Sequence, residues 1–239
     1  MKDYISAIFI TILVLCFFQC KGQTNSTNSN YTFQKGSFDG IGKFYKGREI
    51  SHVMGYQGIN WLERPEREKE ENTNRLIKNM NIAPGDTIAD IGAGSGYHVF
   101  KMVSQVSEGL IYAADIQPEM LQAIRDRKKK EGIDRVKVVK GTEKSVNLPE
   151  NSVDKILLVD VYHEFSFPVE MLTSMHKALR PDGKIFLIEY RGEDASIPIK
   201  KLHKMTEAQA VKEFRVNGFI LQENFDNLPW QHCMVFIKE

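Results

Sequence analysis

Two hydrophobic periods divide the chain. From residue 87 onward, short apolar runs alternate with stretches in which apolar residues recur every three or four positions. That is the pattern of strands alternating with amphipathic helices. Strands are expected at 87–91, 110–115, 136–140, 155–161, 184–190, 219–225 and 234–238. The run at 155–161 is nearly continuous, as suits a central strand buried on both faces. Helices are expected from about 97 to 106 (Val99, Met102, Val103, Val106), at 118–130, 169–179 and 206–216. Thr206 serves as N-cap of the last helix and Asn217-Gly218 as its stop. Pro181-Asp182-Gly183 turns the chain between helix and strand. The alternation predicts an α/β fold with a largely parallel sheet covered on both faces.

The region before residue 87 is different. Residues 5–18 are almost all apolar, too short for a comfortable membrane span and suited to a signal-peptide core. Phe17-Phe18-Gln19-Cys20 is a loose lipobox, which makes Cys20 the candidate lipidated residue of a bacterial lipoprotein. A cytoplasm-facing anchor and a buried apolar helix are the alternatives. Residues 21–36 are rich in Gly, Ser, Thr and Asn and read as a flexible tether. Residues 38–60 carry five glycines among aromatics and read as an ordered but irregular cap. A charged helix then runs from Pro65, a residue suited to a first helical turn, to about Met80. The expected domains are therefore 1–20 (signal peptide or membrane anchor), 21–36 (tether), 37–80 (cap and helix) and 81–239 (ligand-binding domain).

Composition adds restraint. The 239 residues suffice for one α/β domain and an extra segment, and a net charge of +1 gives no general attraction for nucleic acid. The basic run 125–130 reads as the solvated end of a helix. Cys16, Cys20 and Cys233 form neither a disulfide framework nor a metal-type spacing, and no metal is expected.

The chemistry is concentrated where strands end. Thr87-Ile88-Ala89-Asp90-Ile91-Gly92-Ala93-Gly94-Ser95-Gly96-Tyr97 is a strand, a glycine turn and the start of a helix. Free N–H groups at such a helix start favour electron-rich ligand atoms. Asp115 ends the next strand about twenty residues on, where ribose-binding acids sit in nucleotide-binding units. Tyr97 in place of a last glycine, and no evident Tyr-x-x-x-Lys pair, count against a nicotinamide dehydrogenase.

Asp90 to Gly96, Asp115 with Gln117-Pro118-Glu119-Met120-Leu121, and Leu179-Arg180-Pro181-Asp182-Gly183-Lys184 resemble class I S-adenosylmethionine-dependent methyltransferases, from about Asn72 to the C-terminus. The resemblance implies a Rossmann-like three-layer sandwich whose seven-stranded, mostly parallel sheet closes with an antiparallel C-terminal hairpin. It implies S-adenosylmethionine as cofactor. Asp90, Gly92, Ala93, Gly94 and Gly96 would surround its methionine part, Asp115 with Ile116 its ribose, Thr142 and Glu143 its adenine, and Asp160 would be a further cofactor-binding residue. Family members often carry an acid directly after the glycine at 141; here Thr142 stands there and Glu143 follows.

Methyl transfer is an in-line displacement in which alignment matters most and a base serves only some acceptors. Tyr162, His163 and Glu164 lie where the methyl group should sit and are the candidate catalytic residues. Tyr162 and His163 could equally shape the pocket floor alone. His203 and its neighbours could reach the substrate from the far side, and His52, Met54, Tyr56 and Trp61 could form a lid. No Asn-Pro-Pro-Tyr or Asp-Pro-Pro-Tyr motif follows the fourth strand, so amino methylation of DNA bases or of glutamine is not favoured. The expected acceptor is a small molecule, with a weak leaning toward quinone- or sterol-like substrates. A macromolecular acceptor, or a cofactor-binding module without turnover, is the alternative. The latter is motivated by an export-type segment on a domain whose cofactor is made inside the cell. Membrane attachment through the N-terminus is expected, and the sequence leaves the oligomeric state open.

Overall fold

A computed structural model describes residues 30–239. The apolar N-terminal segment, Cys20 and most of the expected tether lie outside the described residues. Among the described residues no helix is long and apolar enough to cross a membrane.

The cap is regular. Strands β1 (Tyr31–Phe33), β2 (Gly40–Tyr45) and β3 (Arg48–Ser51) form an antiparallel meander. This corrects the expected irregular cap, and β1 falls within the stretch read as tether. The β2–β3 link is the two-residue turn Lys46-Gly47, with φ of 49° and 95°. Such turns match strand twist, and Lys-Gly is a weaker signal for them than Asn-Gly. After a short α1 (Ile59–Leu62), the expected continuous helix from Pro65 to Met80 is two short ones, α2 (Arg67–Glu71) and α3 (Thr73–Asn79). Asn72 interrupts it in the left-handed region (φ 54°), and its side chain accepts the Arg75 N–H at 3.1 Å to cap α3.

The main unit follows the predicted alternation: β4 (Thr87–Ile91), α4 (Tyr97–Met102), β5 (Leu110–Asp115), α5 (Pro118–Glu131), β6 (Val136–Lys140), β7 (Val153–Val159), α6 (Pro168–Ala178), β8 (Leu179–Tyr190), α7 (Glu207–Arg215), β9 (Phe219–Asn224) and β10 (Gln231–Lys238). The sheet order is β6-β5-β4-β7-β8-β10-β9. Strands β4 to β8 run parallel, while β10 is antiparallel to both neighbours. This is the Rossmann-like sandwich with its closing hairpin. Pro181-Asp182-Gly183 is not a separate turn. It lies inside β8, where the register shifts from Val153↔Leu179 to Lys155↔Lys184 and the extra residues bulge out.

Period-two alternation divides the sheet's faces. Ala89, Ile156, Leu158, Ile185 and Leu187 pack with Met171, Leu172 and Met175 of α6 and Phe214 of α7. Ile88, Leu157, Phe186 and Ile188 pack with Leu76, Val99, Met102 and Ile124 on the other side. With both faces covered, what remains accessible is the row of strand ends. The order reverses between β4 and β7, so loops leave the sheet in opposite directions and open a crevice there.

Candidate active site

A cavity of about 560 Å³ occupies that crevice. Its walls are the loops after β4, β5, β6 and β7, the end of β8 and the 198–203 segment, with the cap as roof. The volume is in the range of small-molecule sites.

The glycine turn builds one wall. Gly92 (φ 74°) and Gly94 (φ 55°) need the left-handed region, and a Cβ on Gly94 would stand 2.7 Å from Leu62 of the cap. Four N–H groups of the turn itself are spent within the protein. Gly92 and Ala93 donate to the Ala114 carbonyl at 2.8 and 3.0 Å, Gly96 donates to Ala93 at 2.8 Å, and Gly94 donates to Asp115 Oδ2 at 2.9 Å. Its work is to tie the end of β4 to the end of β5. Ala93 and Gly96 support the turn without lining the cavity.

Asp115 is thereby fixed. Its other oxygen accepts the Gln117 N–H at 2.8 Å. Burial raises its pKa while these backbone donors pull it down. Ile116, Thr142 and Glu143 line the same end.

Two aspartates sit deeper. Asp160 lines the cavity beyond β7, in the left-handed region at φ 49°. Its Oδ2 accepts from Gln231 at 2.8 Å, whereas Oδ1 is buried without a partner. Burial, then Glu71 and Glu189, push its pKa well up. Asp90 lies beneath the glycine turn rather than in the cavity wall, 2% exposed, with Oδ2 unpartnered. Burial raises its pKa to about 7, opposed by the Arg67 charge. Arg67 reaches the wall from the cap. Its Nε donates to Glu71 at 2.6 Å and Nη1 to the Leu62 carbonyl at 2.9 Å. Arg64 and the Tyr190 hydroxyl also donate to Glu71, at 2.8 and 2.9 Å. Sequence reading missed this Arg64–Arg67–Glu71–Tyr190 cluster, because a charged helix is ordinarily solvated.

The three candidate catalytic residues occupy one turn of 3₁₀ helix, Tyr162–Glu164, and they separate. Tyr162 does not reach the cavity. It is fully buried, its ring 5.0 Å from Phe214, and its hydroxyl donates to Glu213 Oε2 at 2.8 Å. Glu213 is also held by Arg48 of β3 at 2.8 and 2.9 Å, and Arg48 donates to the His163 carbonyl at 3.0 Å. Tyr162 therefore belongs to a clamp between cap and α7.

His163 and Glu164 do line the cavity. His163 Nδ1 lies 2.6 Å from Glu189 Oε2, and its Nε2 lies 3.2 Å from His203 Nδ1. Burial would lower the His163 pKa, but Glu189 outweighs it and the net shift is upward. His203 is lowered to about 4 by burial and by His163. Glu164 is raised to about 7 by burial. Its Oε1 accepts the Met54 N–H at 3.0 Å, while the Met54 carbonyl accepts from Gln117 at 3.0 Å. The 52–54 segment thus straps the cap across the cavity from the β7 side to the β5 side. His52, Met54 and Trp61 line the roof as a lid would; Tyr56 does not.

A family model described as a methyltransferase domain matches residues 82–232. The chain is 28% identical over 144 residues to the uncharacterized methyltransferase YdaC of Bacillus subtilis, covering 60% of this chain and 76% of that one. It is 27% identical over 123 residues to the ubiquinone/menaquinone biosynthesis C-methyltransferase UbiE of a Marinomonas species, covering 51% of this chain and 49% of that one. It thus spans about half the length of UbiE. A crystal structure of a SAM-dependent methyltransferase from Aquifex aeolicus superposes with a TM-score of 0.72 at 22% identity, over 77% of this chain and 98% of that one.

Proposed function

The chain belongs to the methyltransferase-domain family, and from that premise we propose that it transfers a methyl group from S-adenosylmethionine to a small molecule held in the roofed cavity. The observation that carries this reading is the order of groups along the strand ends. A fixed carboxylate (Asp115) lies at one side, carboxylates with unpartnered oxygens (Asp90, Asp160) lie between, and the polar group His163–Glu164–His203 lies at the other.

The residues fit the cofactor. Asp115 keeps lone pairs on both oxygens for two adjacent hydroxyls, and Ile116, Thr142 and Glu143 would meet the base. A buried carboxylate oxygen without a partner is costly unless a cation joins it. Asp160 Oδ1 matches an ammonium, Asp90 adds negative charge behind the glycine turn, and Arg67 matches a carboxylate. S-adenosylmethionine, when bound, supplies an electrophilic methyl group on a sulfonium. The chain's own residues align and enclose. The strap at Met54 and the indole of Trp61 would cover a ligand bound in the cavity. His163, its Nδ1 held by Glu189, presents Nε2 to the acceptor end beside Glu164. Tyr162 positions this turn through Glu213 and is not a catalytic residue.

Incubating the chain with methyl-labelled cofactor and a cell extract tests the reading. Label in the small-organic fraction is the expected result. Label in protein or nucleic acid alone would move the acceptor to a macromolecule. Cofactor binding with no labelled product would leave a binding module. UbiE-type relatives support an aromatic or quinone-like acceptor, which fractionation of the product checks. We also propose, on the sequence alone, that Cys20 attaches the protein to a membrane. Intact-mass measurement of membrane-extracted protein decides this: an N-terminal, acylated Cys20 supports it, and an unprocessed Met1 sinks it.

A further inference from the structure

Two loops bring three ligand atoms to one point. His163 Nε2 and His203 Nδ1 are 3.2 Å apart, and Glu164 Oε1 is 3.9 Å from the first and 3.7 Å from the second. A triangle with these sides has a centre about 2.1 Å from each corner, which is the length of a zinc–nitrogen or zinc–carboxylate bond, roughly 2.0–2.2 Å. We propose that these three side chains bind one divalent first-row transition-metal ion at the acceptor end of the cavity.

The surroundings match what such sites require. Ligating histidines are oriented by an acceptor on the other ring nitrogen, and ligating carboxylates are themselves hydrogen-bonded. Glu189, completely buried, takes the Nδ1 side of His163 at 2.6 Å, so Nε2, which faces His203 Nδ1, is the nitrogen left to ligate an ion. The Met54 N–H steadies Glu164 Oε1 at 3.0 Å. Both outer contacts come from elements other than the ligands' own loops, β8 and the cap. The donor set also speaks for the class of ion. Two imidazoles and one carboxylate, with no thiolate, suit zinc and its divalent neighbours rather than magnesium or calcium, which take oxygen. Three protein ligands leave a coordination position unfilled, as in catalytic rather than structural zinc sites. All three ligands line the cavity, so the open position faces its interior. There the ion would take a hydroxyl, enol or carboxylate oxygen of the acceptor. That role rests on the methyltransferase reading; the binding of the ion does not.

The test uses the full chain in detergent, stripped of metal with a chelator. Zinc alone is titrated by calorimetry, bound metal is counted after gel filtration, and cobalt replaces zinc for visible spectroscopy. One ion per chain at micromolar or tighter affinity is expected, with the intense visible bands of low-coordinate cobalt. His203→Ala and Glu164→Gln should each weaken binding at least about 100-fold and lose those bands, while keeping the wild-type circular dichroism. His176→Ala, a histidine of α6 outside the cavity, should bind as the wild type does. No stoichiometric ion in the wild type, or unchanged affinity in both triad variants, overturns the site. Calorimetry with S-adenosylmethionine on the same samples separates the two readings. Cofactor binding without metal binding sinks only the metal site, and metal binding without cofactor binding sinks only the methyltransferase reading.

Discussion

Asp90→Asn should make the ligand-free protein more stable, by an amount that pH controls. Burial lifts the Asp90 carboxyl from 3.8 to about 7, with Arg67 opposing and Asp115 adding to the shift. A rise of roughly three units corresponds to about 4 kcal/mol between the two protonation states. The folded chain holds this proton more tightly than the unfolded chain. The stabilisation is therefore complete below about pH 4 and is lost as pH rises through about 7. At pH 8 the wild type carries a buried charge with an unpartnered Oδ2, and asparagine keeps the shape without that charge. The expected gain at pH 8 is up to about 4 kcal/mol, or roughly 10 °C in Tm for a chain of this size, shrinking to nothing near pH 4. Calorimetric or denaturant unfolding of both proteins between pH 4 and 8 measures it. An asparagine variant that is less stable at pH 8, or whose advantage does not change with pH, refutes the reasoning. On the proposed reading the bound cofactor's positive charge, held nearest Asp160, also offsets the Asp90 charge behind the glycine turn. S-adenosylmethionine at 100 times its Kd should raise wild-type stability by about 2.7 kcal/mol and the variant's by less.

Asp115→Ala removes the acceptor for two backbone N–H groups and, on the proposed reading, for the ribose, and should weaken S-adenosylmethionine binding by about 2–3 kcal/mol in calorimetry; wild-type affinity would exclude Asp115 from the cofactor site. Tyr162→Phe deletes only the hydroxyl that meets Glu213. It should lower stability by about 1–2 kcal/mol and leave cofactor affinity within about twofold, whereas a large loss of affinity with unchanged Tm would place Tyr162 back in the site. Gly92→Ala meets a positive φ and an overlap with Val161, while Gly132→Ala, ending α5, meets a positive φ in open space. Thermal unfolding should show about 1–2 kcal/mol lost at Gly132 and clearly more at Gly92; equal losses would mean that Val161 yields freely.

Sequence alone determined the layers of this protein and the place of the glycine turn and Asp115 at the strand ends. Strand and helix periods are properties of neighbouring residues, so the order from β4 to β10 was legible, to the residue for β4, β5 and β6, while β7, β8 and β10 begin two, five and three residues earlier than expected. The glycine turn and Asp115 depend on short-range backbone geometry within about 25 positions, and they lie where their spacing implied. What the turn does was not legible. Its N–H groups go to Ala114 and Asp115 because β5 lies beside it, and that is a tertiary fact.

The acceptor side was decided by packing across distance. Tyr162, His163 and Glu164 are adjacent, yet one tight turn sends Tyr162 into the core and the other two into the cavity. No pattern in those three letters says which. That choice follows from Glu213 and Arg48 drawing Tyr162 away and Glu189 drawing His163 in, partners 26 to 115 positions off in the chain. The cap was misread for a related reason. Its strands are three to six residues long, too short for a periodic signal, and they order because Lys43, Arg48 and Ser51 bond to carbonyls of the 163–166 loop. Local spacing fixes what one strand end can offer a ligand; only the closed fold fixes which distant side chains share that ligand's space.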